Sequence, residues 1–194
     1  VMQGLDKNLK LYKSPIGDWD DSENFAHAVC KEFQPSLFIS IERCSTSADG
    51  KYRNMRSMDI SEYTAKLDPF VSLIDRSVGI GDGGNEIGMG NLSEIISGIP
   101  KLPDDPAVTK CSQLVIASVS NWGGYGLVAA LSQLTGRNLL PSEKEEEENI
   151  QRCVELGAVD GYLGRLNESV DGFDIPENIK TLRLLHELVE FSNK

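Results

Sequence analysis

The stretch Val78–Asn91, which reads VGIGDGGNEIGMGN, constrains the fold more than any other part of the chain. Its glycines allow left-handed turns and a close approach of the backbone to a ligand. Ser77–Ile80 predicts a short buried strand, and the isoleucine spacing of Glu86–Ile96 predicts a helix. A strand, a glycine turn and a helix start would bring backbone N–H groups and two carboxylates to one point. That geometry suits an anion, a hydrated metal ion, or both.

The turn carries three oxygen-bearing side chains, those of Asp82, Asn85 and Glu86. Their simplest structural explanation is a helix cap, because acidic residues are favoured at the start of a helix. Capping alone does not require such a run of glycines, and ligands bind at strand ends in α/β sheets. We therefore predict a functional site, with Gly83 and Gly84 against the ligand. The stretch is not a dinucleotide fingerprint, because GIGDGG breaks the G-x-G-x-x-G register and no Walker lysine follows.

Strands alternate with helices along the whole chain. Further strands are predicted at Asn8–Tyr12, Leu37–Ile41 and Gln113–Ser118. The predicted helices are Ser22–Phe33, Ile60–Ile74 with an interruption near Asp68-Pro69, Leu127–Leu134, one capped by Ser142 that ends near Leu156, and Ile179–Phe191. This alternation predicts an α/β fold, with three α/β/α layers and a mostly parallel sheet.

The loop between Ile41 and Ser61 is the second unusual segment. Glu42 and Arg43 directly follow a predicted strand, where α/β folds place their chemistry. Asn54 and Arg56 add polar groups further along. The two arginines either pair with nearby carboxylates or clamp a substrate carboxylate in a bidentate manner, and the pattern leaves both readings open.

A second glycine-rich turn follows the strand at Gln113–Ser118. It reads SNWGGYG, so Ser120 and Asn121 are placed to cap a helix or to contact a ligand. Gly123 and Gly124 permit close backbone approach. Two such turns after two strands predict paired loops that meet at one edge of the sheet.

Composition excludes several function classes. The formal net charge is −11, with 19 basic and 30 acidic residues, and no basic stripe is present, so nucleic acid and anionic membranes are not expected as partners. No apolar run reaches the roughly 20 residues that span a bilayer. The four cysteines form no C-x-x-C pair, which indicates free thiols and argues against zinc, and the two histidines are too few for a histidine-based metal site.

Several separate motifs together resemble the D-glutamate cyclase family. They are ISIER, ADGKYRNMRSMDIS, GIGDGGNEIGMG, SNWGGYG, GAVDGYLG and VDGFD, in this order between about Leu37 and Val189. The chain departs from the family pattern at Cys44, Ser45 and Thr46, where a small residue, Gly and Arg are common, and at Arg53, where Tyr is common. Members usually carry further N-terminal sequence with a Pro/Gly-rich motif. We therefore expect one domain over residues 1–194 that lacks this N-terminal part.

The resemblance implies an enzyme that converts D-glutamate into 5-oxo-D-proline with loss of water. Its partner would be a small acidic amino acid, and the oligomeric state is open between a monomer and a homo-oligomer. The family occurs in bacterial proteins and in a mitochondrial enzyme, so the expected compartment is the cytoplasm, with the mitochondrial matrix as the alternative.

Hard oxygen ligands without histidine favour Mg²⁺, Mn²⁺ or Ca²⁺ if a metal is used. We hypothesise that Glu42, Asp82 and Glu86 are catalytic and hold such an ion, with Asn85 nearby. Arg43 or Arg56 would receive the substrate α-carboxylate, and Asn121 and the Gly123-Gly124 backbone would line the other side. The alternative is a carboxylate acting as general base without a metal. Two further candidates are a metal-dependent phosphoester or pyrophosphate hydrolase and a non-catalytic small-molecule binding module.

Overall fold

The computed structural model describes residues 10–192, which form two compact units. The sheet unit comprises Tyr12–Ser120, and the described part of the helical unit comprises residues 10–11 and 121–192. Of the predicted strand Asn8–Tyr12, the first two residues lie outside the described range, and residues 10–12 are not in a strand. The single-domain expectation stays a prediction.

A three-stranded parallel sheet forms the centre of the sheet unit, in the order β1–β2–β3. The strands are Phe38–Ile41 (β1), Ser77–Gly81 (β2) and Gln113–Ile116 (β3). Ile80 of β2 lies opposite Ile41 on one side and Val115 on the other. The carboxyl ends of all three strands therefore meet at one edge. The predicted α/β fold with a parallel sheet is confirmed.

Two helices pack beside this sheet around an aromatic cluster. Helix α1 (Trp19–Phe33) and helix α2 (Pro69–Leu73) share a core that includes Ala26 and Phe70. The Phe70 ring stacks on Phe38 of β1 with centroids 5.5 Å apart. Ring stacking of this kind adds about 0.5–1.5 kcal/mol to the burial of apolar area. The cluster therefore fixes α2, and with it the loop that precedes α2.

The helix predicted over Ile60–Ile74 is present only in pieces. A single 3₁₀ turn covers Ser61–Tyr63, and Thr64 is already extended. Helix α2 starts afresh at Pro69. Proline suits the first turn of a helix because its missing N–H has no intrahelical partner there. The interruption near Asp68-Pro69 thus separates two elements.

The helix predicted over Glu86–Ile96 is wrong in its first half. Glu86 forms a bridge with Cys44, and Met89 forms one with Lys110, so the segment runs between two neighbouring chain segments. Gly88 has φ +101°, a conformation that breaks a helix. Helix α3 covers only Ser93–Ile96, after a 3₁₀ turn. Isoleucine spacing was misleading because Ile87 is fully buried although it lies outside any helix.

Among residues 10–192, the helical unit contains three helices and a hairpin. Its elements are α4 (Ser120–Thr135, whose first residue belongs to the sheet unit), α5 (Glu143–Glu155), β4 (Ser169–Val170), β5 (Phe173–Asp174) and α6 (Ile175–Ser192). Its core is built from Ala129, Leu140, Leu182 and Val189. The predicted capping box is confirmed, since the Ser142 and Glu145 side chains each bond the other's backbone N–H. No helix among residues 10–192 combines the length and apolarity needed to cross a bilayer.

The prediction of a second glycine-rich turn at Ser120–Gly126 is wrong, because these residues are helical. Helix α4 begins at Ser120 rather than at Leu127, so Gly123 and Gly124 are its fourth and fifth residues. Trp122 packs its ring 5.0 Å from that of Phe173 and donates to Asn178 Oδ1 at 2.8 Å. These contacts hold the first turn of α4 in place, which offsets the low helix propensity of the glycines.

Asp160 organises the loop between α5 and the hairpin. This carboxylate is 3% exposed and accepts from the Ser169 hydroxyl at 2.5 Å and from the N–H groups of Tyr162, Leu163 and Gly172 at 2.7–2.9 Å. Burial opposes its ionisation, but the four hydrogen bonds outweigh burial and lower the pKa of Asp160. The aspartate is therefore a structural anion.

We expect Asp160→Asn to lower the free energy of unfolding by about 2–3 kcal/mol at pH 7, because an amide cannot replace a carboxylate that accepts from four donors. The folded pKa lies below the unfolded value of about 3.9, so this stabilisation is present above the unfolded pKa and is lost as the pH falls through the folded one. Urea unfolding followed by Trp122 fluorescence in a Trp19→Phe background measures it. An unchanged difference between the two proteins at pH 3 and pH 7 would contradict the role.

Candidate active site

Three carboxylates meet at the carboxyl edge of the sheet. Glu42 directly follows β1, and Asp82 directly follows β2. Glu86 lies four residues after Asp82, and one oxygen of each of the three side chains lies within 4.8 Å of the others. Parallel neighbouring strands bring Glu42 and Asp82 together, since the ends of such strands are adjacent. Among residues 10–192 this is the one group of three or more His, Cys, Asp or Glu side chains close enough to share an ion.

The Glu86 side chain turns back into the glycine-rich turn. Its Oε1 accepts from the N–H of Gly83 at 2.7 Å and from that of Asp82 at 3.1 Å. The residue is 1% exposed, and its Oε2 is buried without a hydrogen-bond partner. The amides expected to bind an external anion therefore hold this carboxylate instead.

Burial raises the pKa of Glu86, and the charge of Asp82 adds to the rise, while the hydrogen bonds from Gly83 and Asp82 oppose it. A buried oxygen without a partner costs free energy in an isolated protein. Native structures leave few such atoms, and those that remain call for an explanation such as an ion or ligand. The unpaired Oε2 of Glu86 is therefore the observation that most favours an ion or a ligand at this cluster.

Asp82 is oriented by Ser120. Its Oδ2 accepts from both the backbone N–H of Ser120 at 2.9 Å and the Ser120 hydroxyl at 3.0 Å. Ser120 was predicted to bind substrate, and the structure places it beside Asp82. The loop after β3 thus fixes the side chain that follows β2.

Glu42 has an unusual backbone. Its φ is +56°, in the left-handed region that a residue other than glycine adopts at a cost of about 1 kcal/mol or more. Its N–H donates to the carbonyl of Ile80 at 3.0 Å, which continues the β1–β2 ladder by one residue. Glu42 is exposed, unlike Glu86. Backbone strain of this kind concentrates at functional sites.

The glycine turn itself is closely packed. A Cβ on Gly83 would lie 2.6 Å from Met55 Cγ, and Gly84 has φ +88° with its carbonyl accepting from Ala107 N–H. Asn85 donates through Nδ2 to the Arg53 carbonyl at 2.9 Å, and its Oδ1 is buried without a partner. The predicted substrate contacts of Gly83, Gly84 and Asn85 stay predictions. Asn85 Oδ1 is the unpaired side-chain atom that this turn offers to a ligand.

The polar loop after β1 places its predicted residues differently. Arg43 is half-buried and donates through Nη2 to the Ala65 carbonyl at 3.1 Å, while its Nε has no partner. Asn54 accepts through Oδ1 from the N–H groups of Arg56 and Met58, so it shapes the exposed turn that carries Arg56. No carboxylate among the described residues forms a salt bridge with Arg43 or Arg56. The proposed clamp on substrate therefore stays a prediction.

Asn121, Gly123 and Gly124 belong to the helical unit. Asn121 is exposed near the start of α4 and lines a cavity of about 230 Å³ with Glu146 and Asn149. Gly123 and Gly124 are helical. Their predicted part in substrate binding stays a prediction.

Arg53, one of the positions that depart from the family pattern, forms an ion-pair network. Its guanidinium contacts Asp49 at 2.6 Å and Asp105 at 3.0 Å. Its carbonyl accepts from Asn85 Nδ2 and from the Cys44 thiol. The backbone of Arg53 thus supports Asn85, whichever side chain occupies this position.

Asp68 was missed by sequence reasoning. It is 3% exposed and accepts hydrogen bonds from Ser45, Thr46, Tyr52 and Thr109. In the sequence it is an aspartate before a proline at a helix start, a pattern typical of an ordinary N-cap. No signal in a single sequence distinguishes such a cap from an anchor for distant loops.

A sequence model for the C-terminal domain described as D-glutamate cyclase-like matches residues 5–186. The chain belongs to this D-glutamate cyclase-like family. The resemblance drawn from the separate motifs is thereby confirmed. Human "D-glutamate cyclase, mitochondrial" is 37% identical over 196 aligned positions, which cover 84% of this chain and 32% of the human protein. The chain therefore spans about a third of the length of that relative.

Proposed function

We propose that the chain is a lyase of the hydro-lyase type that cyclises D-glutamate to 5-oxo-D-proline at the Glu42–Asp82–Glu86 cluster. Membership of the D-glutamate cyclase-like family and the name of the human relative support the reaction. The observation that carries the site is the unpaired, buried Oε2 of Glu86 within a group of three carboxylates.

The cluster suits a hard divalent cation, Mg²⁺, Mn²⁺ or Ca²⁺. Its donors are all carboxylate oxygens, within 4.8 Å of one another, which is the ligand type these ions prefer. The negative charge of Asp82 contributes to the raised pKa of Glu86, and a cation would remove that repulsion. Glu42, Asp82 and Glu86 would hold the ion, and a bound ion would polarise the γ-carboxyl group of the substrate as a Lewis acid.

The reaction itself is intramolecular. A C–N bond forms between the α-nitrogen and the γ-carbon, and a C–O bond at the γ-carbon breaks. Two of the three ammonium protons leave with the oxygen as water, and the third stays on the lactam nitrogen. Holding both ends of one molecule in line supplies up to about 7–11 kcal/mol of the barrier reduction. The protein must therefore fix the substrate, accept a proton from the ammonium and return one to the leaving oxygen.

We assign substrate fixation to Arg43, and in the alternative without a metal we assign the proton transfer to Glu86. Without a bound cation, burial raises the pKa of Glu86, which makes it a stronger base than an exposed carboxylate. The Nε of Arg43 is a buried donor without a partner, the kind of group that a substrate carboxylate would satisfy. Asn85 Oδ1, an acceptor without a partner, is suited to an ammonium donor.

Removal of divalent metal with a chelator is expected to lower conversion of D-glutamate to 5-oxo-D-proline by about 100-fold or more, because Lewis-acid polarisation is worth several kcal/mol. Addition of Mn²⁺ or Mg²⁺ in excess of the chelator should restore the rate. Product is measured by chromatography on a chiral column, with L-glutamate as the control substrate.

Full activity after metal removal would favour the general-base alternative without a metal. Release of phosphate from phosphoesters or pyrophosphate, with no action on D-glutamate, would overturn the cyclase assignment in favour of a hydrolase. Saturable binding of D-glutamate without turnover, at every metal tested, would indicate a binding module.

A further inference from the structure

Asp68 occupies the N-cap position of α2 but does not cap it. Its side chain makes no hydrogen bond to the first turn of that helix. Aspartate at an N-cap normally accepts from the N–H of the second or third helical residue. Here both carboxylate oxygens are directed elsewhere, although the residue is 3% exposed. Its contacts therefore serve something other than the helix.

The donors to Asp68 come from two different loops. Oδ1 accepts from the Ser45 hydroxyl, from the N–H of Thr46 at 3.3 Å and from the Thr109 hydroxyl at 2.5 Å. Oδ2 accepts from the Tyr52 hydroxyl. One buried carboxylate thus joins the loop after β1 to the segment that leads into β3.

These two loops flank the segment that carries Glu86. On one side, Ser45 N–H donates to the Asn85 carbonyl and Ile87 N–H donates to the Arg43 carbonyl, both at 2.8 Å. On the other side, the Thr109 carbonyl accepts from the N–H groups of Gly88 at 3.0 Å and Gly90 at 3.2 Å. Residues 85–90 therefore lie between the loop after β1 and the segment before β3, and backbone hydrogen bonds join them to both.

Ser45 and Thr109 each contact both partners: the backbone of each residue bonds the segment that contains Glu86, and the side-chain hydroxyl of each bonds Asp68. We infer that Asp68 is a positioning residue for Glu86, because it clamps together the two segments between which Glu86 is held. The inference rests on the proposed function, since it gives Asp68 its effect through the carboxylate cluster.

The test compares Asp68→Asn with Asp160→Asn. Asparagine at 68 removes the negative charge that strengthens the bonds from both loops, and it leaves the Tyr52 hydroxyl facing an amide N–H₂ group instead of Oδ2. Amide hydrogen exchange of Ile87, Gly88 and Gly90 without added metal should accelerate, and the affinity for Mn²⁺ should fall about 10- to 100-fold, as for other residues that orient metal ligands. Asp160 is equally buried and accepts from four donors, but it lies in the helical unit.

Asp160→Asn should therefore leave both the Mn²⁺ affinity and the exchange of residues 85–90 unchanged at a temperature where each variant is folded. Equal effects from the two variants would show general destabilisation and overturn the inference. If Asp68→Asn does not fold, Thr109→Val tests the inference instead. It removes the hydroxyl that donates to Asp68 and keeps the Thr109 carbonyl that accepts from Gly88 and Gly90. Unchanged exchange and Mn²⁺ affinity in Thr109→Val would then overturn it.

The two proposals fail in different ways. If Glu86→Gln keeps both turnover and Mn²⁺ binding, the proposed function fails, while faster exchange in Asp68→Asn would still show that Asp68 orders residues 85–90. If Glu86→Gln is inactive but Asp68→Asn changes neither exchange nor Mn²⁺ affinity, only the role of Asp68 is overturned.

Discussion

Glu86→Gln is expected to abolish conversion of D-glutamate, with a loss of about 10²- to 10³-fold or more, while the melting temperature stays the same or rises. Glutamine keeps an oxygen that can accept from the N–H groups of Asp82 and Gly83, so the turn remains closed. It removes a negative charge whose burial is costly, as the raised pKa of Glu86 shows. What it replaces is the unpaired Oε2, the atom proposed to act on the ligand.

Turnover of D-glutamate, calorimetric Mn²⁺ binding and thermal unfolding together separate these effects. Glu94→Gln is the matched control, because Glu94 lies in the same stretch of chain, is exposed and loses the same charge on substitution. The control should keep both activity and Mn²⁺ affinity. An active Glu86→Gln protein would refute the assignment of this cluster as the active site.

Gly90→Ala is expected to lower the free energy of unfolding by about 3 kcal/mol or more, and activity should be lost with it. A Cβ at Gly90 would lie 2.2 Å from the carbonyl oxygen of Val108 and 2.7 Å from the carbonyl carbon of Thr109. Both obstacles are backbone atoms, so the two segments must separate. That movement would break the hydrogen bond from Gly90 N–H to the Thr109 carbonyl, which supports the Glu86 segment.

Gly126→Ala provides the control, since a Cβ there meets nothing within 4 Å and the residue lies inside α4. Alanine in a helix interior is more favourable than glycine by about 0.5–1 kcal/mol, so this variant should be slightly more stable than the wild type. Urea unfolding followed by circular dichroism measures both variants. A Gly90→Ala protein as stable as the wild type would show that the two segments are not held at this spacing.

The sheet was predictable from the sequence because its signal is local. Ser77–Ile80 and Leu37–Ile41 are short apolar runs bounded by polar or glycine-rich turns, and both match strands to within one residue. Parallel order then places the residues after each strand at one edge. For this reason the closeness of Glu42 to Asp82 followed from the fold class, while the role of these carboxylates stays a prediction.

The surroundings of Glu86 were not predictable, because they depend on pairing between distant segments. Ile87, Ile95 and Ile96 have helical spacing, yet Ile87 is buried outside any helix, and its N–H donates to the Arg43 carbonyl. Hydrogen bonds to the Arg43 and Thr109 carbonyls outweigh local helix preference, as tertiary context often does. Asp68 was missed for the same reason, since its donors are up to 41 residues away in sequence.

The crowding of like charges at the sheet edge would couple the two binding events proposed for this cluster, that of the cation and that of the substrate. A dicarboxylic amino acid approaching Glu42, Asp82 and Glu86 meets repulsion from a chain of net charge −11, and a divalent cation in their midst reverses the local field. By thermodynamic reciprocity, whatever factor the cation contributes to substrate affinity the substrate contributes to cation affinity. Saturating amino acid would thus keep the proposed ion bound at concentrations where the substrate-free site releases it.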